Sequence, residues 1–430
     1  MPPNFTLLQV IPELETGGAE QTTIDIARAV VEAGGRALVA ARGGRMLDEL
    51  AAAGGEFVAL PMQTKNPFGL AANARRLERL VREEGVSLVH ARSRAPAFSA
   101  LAAARRAGAP FVATYHGVYN ARSPLKRWYN GVMTRGDLVI ANSDYTREHL
   151  LREHGTDPAK VVTVPRGVDL RRFDPDAIAP ERVAAVRASW GLAPDEPRPV
   201  FLLAGRLTRW KGQAFIVEAM QRAFPPDGGR WPEGPDGGGV RAANERHQGL
   251  PSSPSATPPP SDPAPPDPLP PSRGKGGVLL ILAGDDQGRG EYRATLQRLA
   301  APFDDAVRIV GHVADMPAAY LAADVALAPS LEPEAFGRTA VEPQAMGRPV
   351  LAAAHGATAE TVDDGVTGRL IRPGDQAAWA AALADAASWS PERRAAMGAA
   401  GRERVRRLFS LERMCADTLA AYARVLEARR

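Results

Sequence analysis

Cysteine is nearly absent from this 430-residue sequence: Cys415 stands alone, so no intramolecular disulfide can form, and a reducing compartment fits. Histidine and cysteine never gather at metal-ligand spacing, which leaves no zinc cluster to organise the fold and no metal site to expect. Apolar runs are short, and none reaches the roughly 18 residues that a membrane-spanning helix needs. The stretch from Met1 to Glu13 has no basic leader, and its apolar run reads as a first strand rather than a secretion signal. The expected location is therefore the cytoplasm, with any membrane contact peripheral and on the inner face of the plasma membrane. Both the GxxxxGK[ST] phosphate loop and the GxGxxG dinucleotide fingerprint are missing, which removes two common nucleotide-binding devices. Net charge is a mild +4, without zinc-finger, RNP-like or basic-zipper patterns, so nucleic acid is not an expected partner.

What is present is a repeated strand and helix pattern. Apolar runs at Thr6 to Val10, Arg36 to Ala41, Glu56 to Ala59, Leu88 to Ala91, Phe111 to Tyr115, Leu138 to Ala141 and Val161 to Val164 alternate with amphipathic stretches such as Glu20 to Glu32. That alternation predicts right-handed βαβ units around a parallel sheet. A second series starts near Pro199, with strands expected at 200–204, 278–283, 307–310, 325–328 and 350–353. The length suits two domains of roughly 200 residues each. The expected division is a first Rossmann-like domain at 1–175, a link at 176–198, a second Rossmann-like domain at 199–407 and a C-terminal helix at 408–430. Within the second domain, 225–277 breaks into Pro, Gly, Ser and Asp, with eleven prolines from Pro251 to Pro271. Such a composition cannot bury enough apolar surface to pack, so a disordered insertion is expected there.

In open α/β sheets ligands bind beyond the carboxyl ends of strands, which directs attention to the loops after the apolar runs. Gly17 and Gly18 follow the first run; glycines let a backbone approach phosphate or sugar, although a two-glycine turn alone is an ordinary turn. His90, Arg92 and Arg94 lie at the end of the fourth run and His116 after the fifth; two histidines at equivalent strand ends suggest a cleft role as readily as a structural one, with His90, Arg92 and Arg94 as acceptor-side candidates. Val164 to Asp169 leaves the last strand of the first domain. At the start of the second, Arg206 and Lys211 stand beside glycines, a combination suited to clamping a diphosphate; alone it is also a solvated basic turn. The segment Ser330 to Val350 places Glu334 and Glu342 eight positions apart, about two helical turns. Pro343 follows the second acid and is expected to kink that helix.

Taken together, these loops resemble the family-four retaining glycosyltransferases of the GT-B fold, over nearly the whole chain outside the insertion. Glu334-Ala-Phe-Gly337 followed by Glu342, Ala345, Gly347 and Pro349 is similar to the family's Glu-x7-Glu signature. The resemblance implies two Rossmann-like domains facing across a cleft, and transfer of a hexose from a nucleotide-diphosphate sugar with retention and no metal ion. It implies further that Arg206 and Lys211 hold the diphosphate, Glu334 meets the sugar and Glu342 the ribose, with Gly17, Gly18, Gly311, Phe336 and Gly337 on the donor side. His116 matches the position that approaches the reaction centre. No cofactor is implied beyond the donor substrate. The expected acceptor is a glycan or lipid-linked molecule, in bacterial envelope glycan synthesis of the lipopolysaccharide type. Alternatives are an epimerase or hydrolase of the same fold, or a non-catalytic binding protein. Residues 121–135, with Arg122, Lys126, Arg127 and Arg135 beside Leu125, Trp128, Tyr129, Val132 and Met133, have the composition of a helix lying on an anionic membrane.

Overall fold

A computed structural model describes residues 4–15, 17–119, 123–225, 277–288 and 290–429. The segment expected as a disordered insertion, apart from its end residues Pro225 and Gly277, lies outside the described residues.

The first domain carries strands β1 (Thr6–Val10), β2 (Arg36–Ala41), β3 (Glu56–Ala59), β4 (Leu88–Ala91), β5 (Phe111–Tyr115), β6 (Leu138–Ala141) and β7 (Val161–Thr163). They form one sheet in the order β3-β2-β1-β4-β5-β6-β7, with parallel pairing throughout. The second domain carries β8 (Val200–Ala204), β9 (Leu279–Ala283), β10 (Val307–Gly311), β11 (Val325–Ala328), β12 (Val350–Ala353) and β13 (Gly368–Ile371), in the order β10-β9-β8-β11-β12-β13. Central strands are fully buried and largely apolar because helices cover both faces. The edge strand β3 is largely exposed and carries Glu56 against Arg36 of β2.

In each sheet the strand order reverses once, between β1 and β4 and between β8 and β11. A crevice opens at such a reversal, and the loops that follow β1, β8 and β11 border it. Topology thus brings Gly17, Gly18, Arg206, Lys211 and Glu334 into one neighbourhood.

The segment expected as a link contains the helix Pro180–Ser189, and Val186, Trp190 and Leu192 pack with Val200 and Leu202 of β8 in the second domain's core. The last helix, Leu411–Glu427, is not a surface addition. It returns to the first domain, where Met414, Ala421, Tyr422 and Val425 join Phe5, Leu7 and Val39 in the core. Tyr422 is fully buried, worth about 1.5–3 kcal/mol of apolar transfer. Two crossings between the domains therefore lie side by side: Val168 N–H donates to Phe409 O at 2.8 Å and Leu411 N–H to Val168 O at 2.9 Å.

β13 escaped the sequence reading because Arg369 and Arg372 interrupt and bound its short apolar stretch.

Candidate active site

A cleft of about 710 Å³ runs between the domains, lined by His116, Asn142 and Arg166 from the first and by Arg206, Lys211, Glu334 and Gly337 from the second. Lys211 ends a short 3-10 turn, Arg209–Lys211, after β8. Its ammonium donates to Glu334 Oε1 at 2.7 Å and lies 4.6 Å from the Trp210 ring centroid. Ser330 Oγ donates to the same carboxylate oxygen. Arg206 is exposed to the cleft, while its carbonyl is fixed by the side chain of Gln213 at 2.9 Å. The cleft therefore offers a neutralised Lys211–Glu334 pair beside a solvent-facing guanidinium, an arrangement suited to anionic oxygens.

Gly337 has φ 81°, the left-handed region, and a side chain there would meet Thr358 Cγ2 at 2.9 Å. The turn it makes starts the helix Arg338–Ala345, which carries Glu342. Glu342 is buried: Tyr320 OH donates to Oε2 at 3.0 Å, and Arg338 Nε to Oε1 at 2.8 Å. Its position behind the loop leaves it outside the cleft lining. Pro343 sits inside the helix, which runs on to Ala345. Phe336 has a buried ring, 5.8 Å from that of Phe409, which anchors the loop, and the residue lines the cleft. Gly311 ends β10, gives its carbonyl to Gly284 N–H at 2.7 Å, and stands away from the cleft lining.

Gly17 and Gly18 open the helix Gly18–Glu32 at the reversal point of the first sheet, and Gly18 lines a second, smaller cavity beside the cleft. His116 follows β5. Its Nδ1 lies 3.0 Å from Arg166 Nη2, and burial, then Arg166 and Arg92, hold its pKa well below the ordinary histidine value.

Two acceptor-side candidates are enclosed by protein. His90 is wholly buried, with Nδ1 at 2.5 Å from Tyr422 OH and Nε2 at 2.8 Å from Thr114 Oγ1. Arg92 is equally enclosed, with Nε and Nη2 donating to Gln9 Oε1 at 2.9 and 2.6 Å. Both lie on the network that ties the last helix to the sheet, because strand ends at the centre of this sheet are covered by that helix. Arg94 differs: it lines a cavity of about 970 Å³ with Lys65, Tyr119, Lys126, Trp128 and Tyr129, and that cavity shares Val118 with the cleft. Its guanidinium carbon lies 3.7 Å from the Tyr119 ring centroid. Arg166 stands in one of the loops singled out, but the sequence reading gave it no role, because nothing local marks which of that loop's residues turns inward.

The family model for Glycosyltransferase Family 4 matches residues 16–172, and that for Glycosyl transferases group 1 matches 270–388. A GDP-mannose-dependent alpha-(1-6)-phosphatidylinositol monomannoside mannosyltransferase from Mycolicibacterium smegmatis is 31% identical over 347 residues, 76% of this chain and 74% of that protein. The chain belongs to the family-four, group 1 glycosyltransferases. A D-inositol 3-phosphate glycosyltransferase from Segniliparus rotundus is 28% identical over 337 residues, 75% of this chain, and the match spans 62% of that relative's length. A solved glycosyltransferase from Rickettsia africae superimposes with a TM-score of 0.80 at 27% identity, over 98% of this chain and 99% of that one. The architecture is accordingly the GT-B type, two Rossmann-like domains with a helical C-terminus. Among the described residues, no helix is long and apolar enough to cross a membrane.

Proposed function

We propose that this family member transfers a hexose from a nucleotide-diphosphate sugar to a glycan or lipid-linked acceptor in envelope glycan synthesis, with retention of configuration and without a divalent ion. The observation that carries this reading is the meeting of Arg206, Lys211 and Glu334 at the strand ends of the second domain, opposite His116 of the first. In such a transfer the anomeric C–O bond to the diphosphate breaks, and the leaving diphosphate takes the electron pair. The acceptor hydroxyl oxygen bonds to the same carbon from the face the diphosphate leaves, and its proton passes to an oxygen of the departing diphosphate. Arg206 and Lys211 would stabilise the charge gathering on the leaving group, the task that a metal ion performs elsewhere.

The cavity around Arg94 supports an acceptor that joins an anionic head to apolar or ring surface, since three cations and three aromatic rings line it. The names of the two relatives, which refer to inositol phosphate and a phosphatidylinositol mannoside, favour an acceptor of that chemistry over a lipopolysaccharide core. Peripheral docking on an anionic membrane belongs to the same proposal. Leu125 and Trp128, 74% and 55% exposed, project beside Lys126 and Arg127, and Phe68 is 86% exposed at the start of the helix Pro67–Glu83.

The test is consumption of radiolabelled UDP- and GDP-sugars with and without inositol phosphates or membrane extract, in buffer with EDTA and with manganese. Acceptor-dependent product in EDTA is the expected result. Donor hydrolysis that ignores every acceptor would favour a hydrolase, and recovery by manganese alone would remove the metal-free mechanism.

A further inference from the structure

Arg166 stands where the chain leaves the first domain, and its environment is unusual for a guanidinium. Nη2 points at His116 Nδ1 across 3.0 Å, while Nε is buried with no protein partner. Nη1 lies against Gly18, where any side chain would collide with it, so the glycine loop and the arginine are mutually fitted. No carboxylate pairs with Arg166 among the described ion pairs; it lines both the cleft and the smaller cavity, with Arg338 beside it. Burial first, and then Arg338, draw its pKa down to about 10, still far above neutrality.

A guanidinium has donors and no acceptor. The imidazole nitrogen facing it must therefore be the one with the lone pair, which puts the proton of a neutral His116 on Nε2. Nε2 is buried and has no partner within the protein, so that N–H is uncommitted. The groups around the ring reinforce the neutral state: Arg166 and Arg92 are cationic, and Asn142 Nδ2, 3.3 Å from the His116 carbonyl, adds no charge.

We propose that Arg166 is a positioning residue that fixes His116 as the neutral, Nε2-protonated tautomer, so that the ring beside the reaction centre serves neither as a general base nor as an imidazolium. The second half rests on the transferase reading; the first does not.

Nitrogen NMR on histidine-labelled protein tests the tautomer directly, with His116 assigned by comparison with His116→Gln. The wild-type ring should show a protonated Nε2 and an unprotonated Nδ1 throughout about pH 5 to 8, with no titration near the ordinary value. In Arg166→Met the ring should shift toward the other tautomer or begin to titrate in that range. Turnover should fall roughly tenfold, the worth of one hydrogen bond, and recover at least partly in Arg166→Lys, which retains a donor. A wild-type ring protonated on Nδ1, or titrating near the ordinary value, would overturn the proposal, as would an Arg166→Met spectrum unchanged from wild type. If Arg166→Met fails to fold, the wild-type spectrum alone decides the tautomer. The spectra stand whether or not any sugar is transferred, so failure of the transferase reading is seen separately in the donor assay.

Discussion

Glu360 of the second domain accepts the backbone N–H of Tyr145 at 2.6 Å and that of Asp144 at 2.9 Å, so a carboxylate from one domain caps the helix Asp144–His154 of the other. Glu360 belongs to the short helix Thr358–Thr361, whose Thr358 packs on the Gly337 turn, so this clasp sits directly behind the loop that bears Glu334. Negative charge at a helix N-terminus is favourable, but burial pushes the Glu360 carboxyl above its ordinary range and offsets part of the gain. Glu360→Ala should therefore loosen the domain contact by about 1 kcal/mol. Small-angle scattering of the free protein should show a larger radius of gyration, and the donor KM should rise more than kcat falls. Unchanged scattering and KM would make the clasp incidental.

Arg206 and Lys211 are expected to act on the leaving group. Arg206→Ala should lower turnover by roughly 10²–10³, the scale for removing one preorganised charge contact. Lys211→Ala should cost at least as much, because it also strips Glu334 of its 2.7 Å partner. Full activity in both variants, with unchanged melting, would remove the clamp from the mechanism.

Asp25 is the acid whose titration should be visible in stability. Burial pushes its pKa up to about 6 from 3.8, with the Gln21 hydrogen bond and Arg28 opposing the rise. The folded protein thus holds this proton more tightly than the unfolded chain does. Its contribution is fully present below about pH 4 and is lost as the pH climbs through about 6. Asp25→Asn should stabilise the protein by about 1–2 kcal/mol at neutral pH, somewhat less than a two-unit shift would give for a fully enclosed group, and by nothing near pH 4. Thermal melts across that range check the sign; a gain that persists at low pH contradicts it.

Docking on an anionic bilayer should depend on a small patch. Of the residues expected on one apolar face, Val132 and Met133 are buried in the core of the first domain, while Leu125 and Trp128 remain exposed. Arg135 is turned back on Trp128, 5.1 Å from its ring and donating to its carbonyl at 2.9 Å. Arg122 lies outside the described residues. Lys126 and Arg127 would each contribute about 1 kcal/mol near an anionic surface. Sedimentation with anionic liposomes at low salt should be lost in Lys126→Glu/Arg127→Glu and weakened in Trp128→Ala. Wild-type protein that stays in the supernatant would end the docking idea.

Residues 226–276 should be replaceable. The chain departs at Pro225 and resumes at Gly277, where an added Cβ would stand 2.8 Å from the Phe224 ring, so the two ends meet on one surface. A connection of about 4–6 Gly/Ser residues can close that gap. Melting temperature and donor kinetics should be preserved; a collapse of either would show that the segment contributes to the core or to the site.

Most of the architecture was legible because it is written in local signals. Short, mostly apolar runs marked twelve of the strands, since a strand covered on both faces must be largely apolar on both; only the edge strand β3 is largely exposed. The glycine turn before Gly18, the basic loop at Arg206 and Lys211, and the acids Glu334 and Glu342 were legible for a similar reason: each is a short stretch whose chemistry is set by adjacent residues. Spacing could place Glu342 about one and a half helical turns beyond the Gly337 turn, and the helix Arg338–Ala345 does so.

Which side chains face the cleft was decided by packing at long range. His90, Arg92 and Arg94 are sequence neighbours with one polar character, yet the return of Tyr422 from the far end of the chain seals His90 and Arg92 into a buried network and leaves Arg94 on a cavity wall. Arg166 gained its place because two interdomain crossings, at Val168 and at Leu411, lie together and turn its guanidinium toward His116. Val132 and Met133 lost theirs because the chain passes into the core after Asn130. The sequence by itself determined the strands, the helix starts and the chemistry carried by each loop, since these depend on period, turn residues and charge within a few positions. Tertiary structure alone decided burial and partnership, since a side chain's exposure depends on which distant element is packed over it.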